Sequence, residues 1–103
     1  MKILSGIKPS GTLHLGNYLG AIKNWVNLQE DKDNFCLFFV ADLHSLTENT
    51  SSAEEKRKQI EQLAIDFLAL GLDPKKCALF IQSHVLETTE LSWLLSCVTP
   101  MGD

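Results

Sequence analysis

The chain has little that would announce a nucleic-acid binder, a metalloprotein or a membrane protein. Its nine lysines and arginines are outnumbered by thirteen aspartates and glutamates, giving a net charge of −4. No global electrostatic attraction to nucleic acid follows, so an RNA partner would need a local basic patch or protein outside this chain. Cysteine occurs only as Cys36, Cys77 and Cys97. No CxxC or Cys/His spacing suggests zinc, and such separated thiols inside apolar runs are expected to be buried and free. That usage suits a reducing cytosol, and a cytoplasmic location is expected. The N-terminal apolar run stops at Ser5-Gly6, too early for a signal peptide, and no stretch could span a bilayer. Without a secretion signal, the sequon Asn49-Thr50-Ser51 is read as chance. Repeats and low-complexity segments are absent as well. What remains, at 103 residues with 45% hydrophobic and 21% charged, is one soluble globular domain with a modest core.

What is present is an alternation of apolar runs and amphipathic stretches. Ile3 to Gly6 reads as a short strand, and Lys8-Pro9-Ser10-Gly11 has proline second and glycine fourth, as a type I turn favours. From about Gly16 to Leu28 apolar residues recur at Leu15, Leu19, Ile22 and Val26, with Trp25 widening the stripe, so a helix is expected. Gln29 to Asn34 reads as a charged surface loop. Phe35 to Val40 is apolar without alternation, as in a strand covered on both faces. Ser51 and Ser52 each precede a glutamate by three residues, offering a capping box in either register. The helix they open would bury Ile60, Leu63, Ala64, Phe67 and Leu68 and end at Gly71, before Asp73-Pro74. Ala78 to Gln82 reads as a third buried strand. A last helix, about Thr89 to Val98, carries Leu91, Leu94, Leu95 and Val98. Trp25 and Trp93 lie on helix faces as packing residues, His84 is expected in solvent, and Glu54 to Lys58 reads as a salt-bridged, solvated face. The β-α-β-α-β-α order makes a parallel sheet the economical architecture.

Ligands of such sheets sit beyond the carboxyl ends of the strands. Ser5-Gly6 through Asn17 follow strand one, Asp42 and His44 follow strand two, and Gln82-Ser83-His84 follow strand three. His14 and Asn17 are three apart and share a face of the opening helical turn, within reach of a phosphate or ribose at a helix N-terminus. Gly16 permits close approach, and Lys8 offers a mobile positive charge. Each residue also has a plain structural role: His14 as a cap, Gly16 as a packing residue, Asp42 as a turn residue or cap, His44 bonded to backbone. The convergence of three segments on one edge says more than any of them alone.

The run Ser5-Gly6-Ile7-Lys8-Pro9-Ser10-Gly11, followed by His14-Leu15-Gly16-Asn17-Tyr18-Leu19-Gly20-Ala21, resembles the start of bacterial-type tryptophanyl-tRNA synthetases. HLGN is similar to their form of the class I HIGH signature. Val40-Ala41-Asp42-Leu43-His44, Leu79-Phe80-Ile81-Gln82-Ser83 and Met101-Gly102-Asp103 resemble later segments of the same family. The resemblance implies an α/β fold, the truncated N-terminal half of a Rossmann-like (HUP-type) parallel sheet with flanking helices. It implies ATP-dependent activation of L-tryptophan to tryptophanyl-adenylate, then transfer to tRNA(Trp). By position, Lys8, Pro9, Ser10, Gly16 and Asn17 would bind ATP, and His14 would stabilise phosphate charge, with Asn17 beside it. Leu4, Gly6, His44 and, more weakly, Gln82 would line the tryptophan pocket, and Mg²⁺ would accompany ATP. Lys8 stands where glutamine is the common family residue. No KMSKS-like loop is present, so the resemblance implies an N-terminal fragment, residues 1–103 of the catalytic domain, severely impaired alone. The resemblance also implies a homodimer for the full-length protein. In the fragment one sheet edge and part of the last helix's apolar face should be uncovered, inviting self-association. Two other readings are a non-catalytic nucleotide-binding module on a half-Rossmann scaffold and another HxGH-type nucleotidyltransferase.

Overall fold

Three apolar runs pair side by side into one parallel sheet of order β1-β2-β3, formed by β1 (Lys2–Ile7), β2 (Phe35–Val40) and β3 (Ala78–Ile81). The computed structural model of the chain describes residues 1–9, 16, 18–47 and 52–102. A π-helical turn, Tyr18–Ile22, leads into α1 (Lys23–Gln29). After β2 comes the one-turn helix α2 (Asp42–Ser45), then α3 (Ala53–Ala69). β3 runs into a 3₁₀ turn, Gln82–His84, and then α4 (Glu87–Val98). The α/β order and parallel pairing follow the sequence reading. Among the described residues no helix is long and apolar enough to cross a membrane.

Strand periodicity places Cys36, Phe38 and Val40 on one face of β2, and all three are buried. On that face Trp25 of α1 lies flat on Phe38, with ring centroids 4.5 Å apart and planes 4° apart. Phe67 of α3 meets the same indole edge-on at 5.5 Å and 75°. Offset stacks and T-shaped pairs are the arrangements aromatic quadrupoles favour. Ile22, Leu63, Leu72 and Cys77 complete the buried cluster, with Ile3, Ile7, Ile60 and Leu79 packed around it. Helix α3 starts at Ser52, whose Oγ accepts the Glu55 N–H at 3.2 Å. The second register expected for this cap falls on Ser51, outside the described residues. The helix ends in a Schellman motif: the Leu72 N–H bonds the Phe67 carbonyl and the Gly71 N–H bonds the Leu68 carbonyl. Gly71 takes φ +115° there, and a Cβ would meet only Val26 at ordinary contact distance. Backbone conformation, rather than crowding, therefore demands the glycine. Lys58 pairs with Glu54 at 3.5 Å on the solvated face, as expected.

Several expectations need correction. β3, read as a third buried strand over Ala78 to Gln82, ends at Ile81 and buries no residue: Ala78 is exposed and Leu79, Phe80 and Ile81 are half-buried. Gln29 is no surface loop residue: it ends α1, is buried, donates to the Gly71 carbonyl at 2.8 Å and accepts the Asp73 N–H at 3.0 Å. A buried amide is tolerated because its polar atoms are paired. Leu68, expected in the core, is half exposed. β2 is covered on one face only: Phe35 is 59% exposed, and Leu37 and Phe39 are half-buried. The lack of alternation in Phe35 to Val40 reflects an apolar second face, which the described residues leave open. α4 buries no residue at all; Trp93 is 71% and Val98 78% exposed, so Trp93 does not pack as expected. Cys97, expected to be buried like the other two, is exposed because its helix has no covered face, whereas Cys36 and Cys77 are buried as expected.

The chain exposes 7371 Å², against roughly 5,800 Å² for a folded monomer of its mass. Its radius of gyration is 15.0 Å, against about 13 Å for a self-contained domain of this length. The open sheet face and α4 are two places where apolar side chains stay exposed, and they extend the uncovered surface expected from the sequence.

Burial separates the two tryptophans energetically. Trp25→Ala should cost about 3–5 kcal/mol, whereas Trp93→Ala should stay within about 0.5 kcal/mol, both read from urea unfolding. Burial also pushes the Cys77 thiol above its ordinary range, and only thiolates react readily. A thiol titration of the native chain should therefore find one fast group, Cys97, and two that react only on unfolding. Three fast thiols would contradict the packing described.

Candidate functional site

The three strands end level with one another. Register pairs Ile7 with Val40 and Val40 with Ile81, and the Ala41 N–H closes the row on the Ile7 carbonyl at 2.8 Å. Whatever follows each strand must therefore emerge along a single carboxyl edge. Lys8 and the buried Pro9 leave β1 there, Asp42 and His44 leave β2, and Gln82 and Ser83 leave β3.

Local hydrogen bonding fixes the middle segment. Ser45 Oγ donates to the Asp42 carbonyl at 2.6 Å, and Thr47 Oγ1 donates to the His44 carbonyl at 2.8 Å. Asp42 Oδ1 accepts the Ser83 N–H at 3.0 Å, joining the ends of β2 and β3. One residue away, His44 Nδ1 faces Gln82 Oε1 at 3.5 Å. The structure thus brings His44 and Gln82 together, as their shared place on the edge requires. Both line an open cavity of about 310 Å³, and the hydroxyl-bearing Thr47, Thr88, Thr89 and Ser92 line it as well. His84 faces solvent, as expected. A larger groove of about 660 Å³ runs along β3 and α3, walled by Phe67, Leu68, Leu79 and Ile81, and His84 lines it as well. One imidazole among apolar walls gives it little to fix a substrate's orientation.

Leu4 and Gly6 occupy the open sheet face, with Leu4 67% exposed. Gly6 lies opposite Phe39 in register. A methyl group at Gly6 would sit 2.6 Å from Phe39 Cζ and 2.7 Å from Cδ2. The bare backbone at Gly6 therefore seats the Phe39 ring, which in turn stacks on Phe80 at 5.4 Å. This Gly6-Phe39-Phe80 floor was not singled out in the sequence. The signal was available: glycine in β1 pairs with the apolar alternate position of β2. Of the other candidates, Gly16 is exposed, while Ser10, His14 and Asn17 lie outside the described residues. Among the described residues no group of three His, Cys, Asp or Glu side chains could hold a metal ion.

Comparison with known proteins bears on all 103 residues. The family described as tRNA synthetases class I (W and Y) matches residues 1–103. A tryptophan--tRNA ligase of Rickettsia bellii is 57% identical over 97% of this chain, which covers 30% of that protein. The tryptophanyl-tRNA synthetase of Campylobacter jejuni, solved with ADP and tryptophan, is 44% identical over 99% of the chain and 31% of its own, with a TM-score of 0.86. That of Mycoplasma pneumoniae superposes with a TM-score of 0.89 at 39% identity, over 98% of this chain and 29% of its own. The chain spans about a third of the length of these relatives.

The glycine floor yields a test that needs no ligand. Gly6→Ala should displace the Phe39 ring and destabilise the chain by about 1 kcal/mol, the low end of overpacking because the face is open. Phe39→Ala in the same chain should recover part of that loss, a coupling expected only of residues in contact. Purely additive effects in denaturant unfolding would place the ring elsewhere.

Proposed function

This chain belongs to the class I tRNA synthetases of the tryptophan and tyrosine type, and on that footing we propose that residues 1–103 are the N-terminal part of a tryptophan--tRNA ligase catalytic domain. The observation that carries the proposal is the level carboxyl edge, where Lys8-Pro9, Asp42-His44 and Gln82 emerge together. The names of the relatives above support tryptophan as the amino acid.

In the proposed reaction a tryptophan carboxylate oxygen attacks the α-phosphorus of ATP. The bond to the pyrophosphate oxygen breaks, leaving tryptophanyl-adenylate. A terminal ribose hydroxyl of tRNA(Trp) then attacks the activated carbonyl carbon, and AMP departs. Such chemistry asks a protein mainly for positioning and for stabilisation of developing charge. Lys8, Pro9, Ser10, Gly16 and Asn17 are assigned to ATP, and His14 to the charge that builds on its phosphates. Leu4, Gly6, His44 and Gln82 are assigned to tryptophan. The Phe39-Phe80 pair beside Gly6 supplies a flat apolar surface suited to an indole. Mg²⁺ would enter with ATP, held by phosphate oxygens and water rather than by a protein cage. The described residues offer no such cage. A second copy of the full-length protein and a cytoplasmic setting complete the proposal.

Equilibrium dialysis of the chain with labelled ATP and with labelled tryptophan tests this reading. Both should bind saturably. His44→Ala should weaken tryptophan by about tenfold, roughly 1.4 kcal/mol, at unchanged ATP affinity. Asn17→Ala should do the reverse. Pyrophosphate exchange by the chain alone should be severely reduced relative to a full-length relative, because it has no KMSKS-like loop. ATP binding with no response to tryptophan would instead favour a nucleotidyltransferase with another acceptor.

A further inference from the structure

Resting on that assignment of His44 and Gln82, we propose that Asp42 is a positioning residue that sets the tautomer of His44 without itself touching the substrate. The inference begins with the Ser83 N–H. It lies in the first turn of a 3₁₀ segment, Gln82–His84, where backbone donors have no partner within the helix. Asp42 Oδ1 satisfies that donor at 3.0 Å. The bond joins the segment after β2 to the segment after β3 within two residues of both His44 and Gln82. Together with the Val40–Ile81 pairing, it fixes the segment of Gln82, whose Oε1 lies 3.5 Å from His44 Nδ1.

An amide oxygen only accepts hydrogen bonds. With the Gln82 amide oxygen turned to the ring, a hydrogen bond across the 3.5 Å gap requires the hydrogen on Nδ1, which assigns neutral His44 the Nδ1–H form. A neutral imidazole in water prefers the other form, with the hydrogen on Nε2. The protein thus reverses the intrinsic preference, and the partner of one ring nitrogen decides the role of the other. Nε2 becomes an acceptor. Among the groups that tryptophan and ATP present, carboxylate and phosphate oxygens only accept, whereas the ammonium and the indole N–H donate. Neutral His44 held in this way recognises an N–H of the amino acid and discriminates against an acceptor in the same place. Losing Asp42 would free the 3₁₀ turn, separate Gln82 from the ring and return the imidazole to its solution preference.

Long-range ¹H–¹⁵N spectra of the ¹⁵N-labelled chain, taken about two pH units above the ordinary histidine pKa, report the tautomer directly. The parent should show His44 as Nδ1–H. Asp42→Ala should shift it to Nε2–H, and Gln82→Met should do so with Asp42 intact. Asp42→Asn should retain the parent form, because its amide oxygen can accept the same Ser83 N–H. Amide-shift dispersion monitors folding, and Asp42→Glu replaces Asp42→Ala if the latter does not fold, with the same shift expected. A folded Asp42→Ala chain that keeps Nδ1–H, or a folded Asp42→Asn chain that loses it, would overturn the proposal. Dialysis of the same variants should show tryptophan binding weakened about tenfold wherever the tautomer has changed, with ATP binding unaltered. If the parent binds no tryptophan, the functional assignment fails while the spectra still judge the role of Asp42. If the parent binds tryptophan and the tautomer ignores Asp42, the positioning role fails and the assignment stands.

Discussion

The flat stack of Trp25 on Phe38 is the contact on which the rest of the structure depends. It fixes α1 against the central strand, and Phe67 closes on the same indole from α3. Two helices and the middle of the sheet thereby share one apolar seam. Because the strands run parallel and in register, fixing β2 also fixes where all three strands stop. The common edge at Ile7, Val40 and Ile81 is thus a consequence of core packing. Residues chosen for chemistry need only follow the strands to arrive together.

The elements that could be read from sequence were those whose cause is local. Gly71 and Ser52 end and begin α3 through conformational preference and a short side-chain bond, and both positions were visible as residue types. The strands were legible as apolar runs. Two kinds of feature were not. One is pairing at a distance: Gln29 reads as a polar residue at a helix end, yet its partners, Gly71 and Asp73, lie over forty residues away. The other is the fate of a second apolar face. Leu37 and Phe39 look alike whether a helix covers them or not, so an unbroken apolar run reads as burial on both sides.

The candidate site divides along the same line. Alternation and strand order place His44 and Gln82 on one edge, and their meeting follows from topology. The contact between Asp42 and Ser83 does not, because a backbone donor carries no signature in the sequence. Gly6 was legible through its family resemblance as a pocket residue, while its structural reason, the ring of Phe39, emerges only from the strand register. Ser10 rests on that resemblance alone, whereas His14 and Asn17 rest also on their three-residue spacing at the start of an expected helix.

The two ends of the sheet carry different kinds of tie. At the amino end the N-terminal ammonium holds the Asp33 carbonyl, the Phe35 N–H holds the Met1 carbonyl, and Gln29 and the Lys76–Glu30 pair bind the neighbouring loops together. At the carboxyl end the Asp42–Ser83 bond and the longer His44–Gln82 contact join the same segments that carry candidate site residues. The amino end is thus held by residues with no part in the site, and can change in sequence without disturbing the chemistry. At the carboxyl end the residues that join two strands also shape the site, so one substitution there alters stability and binding together.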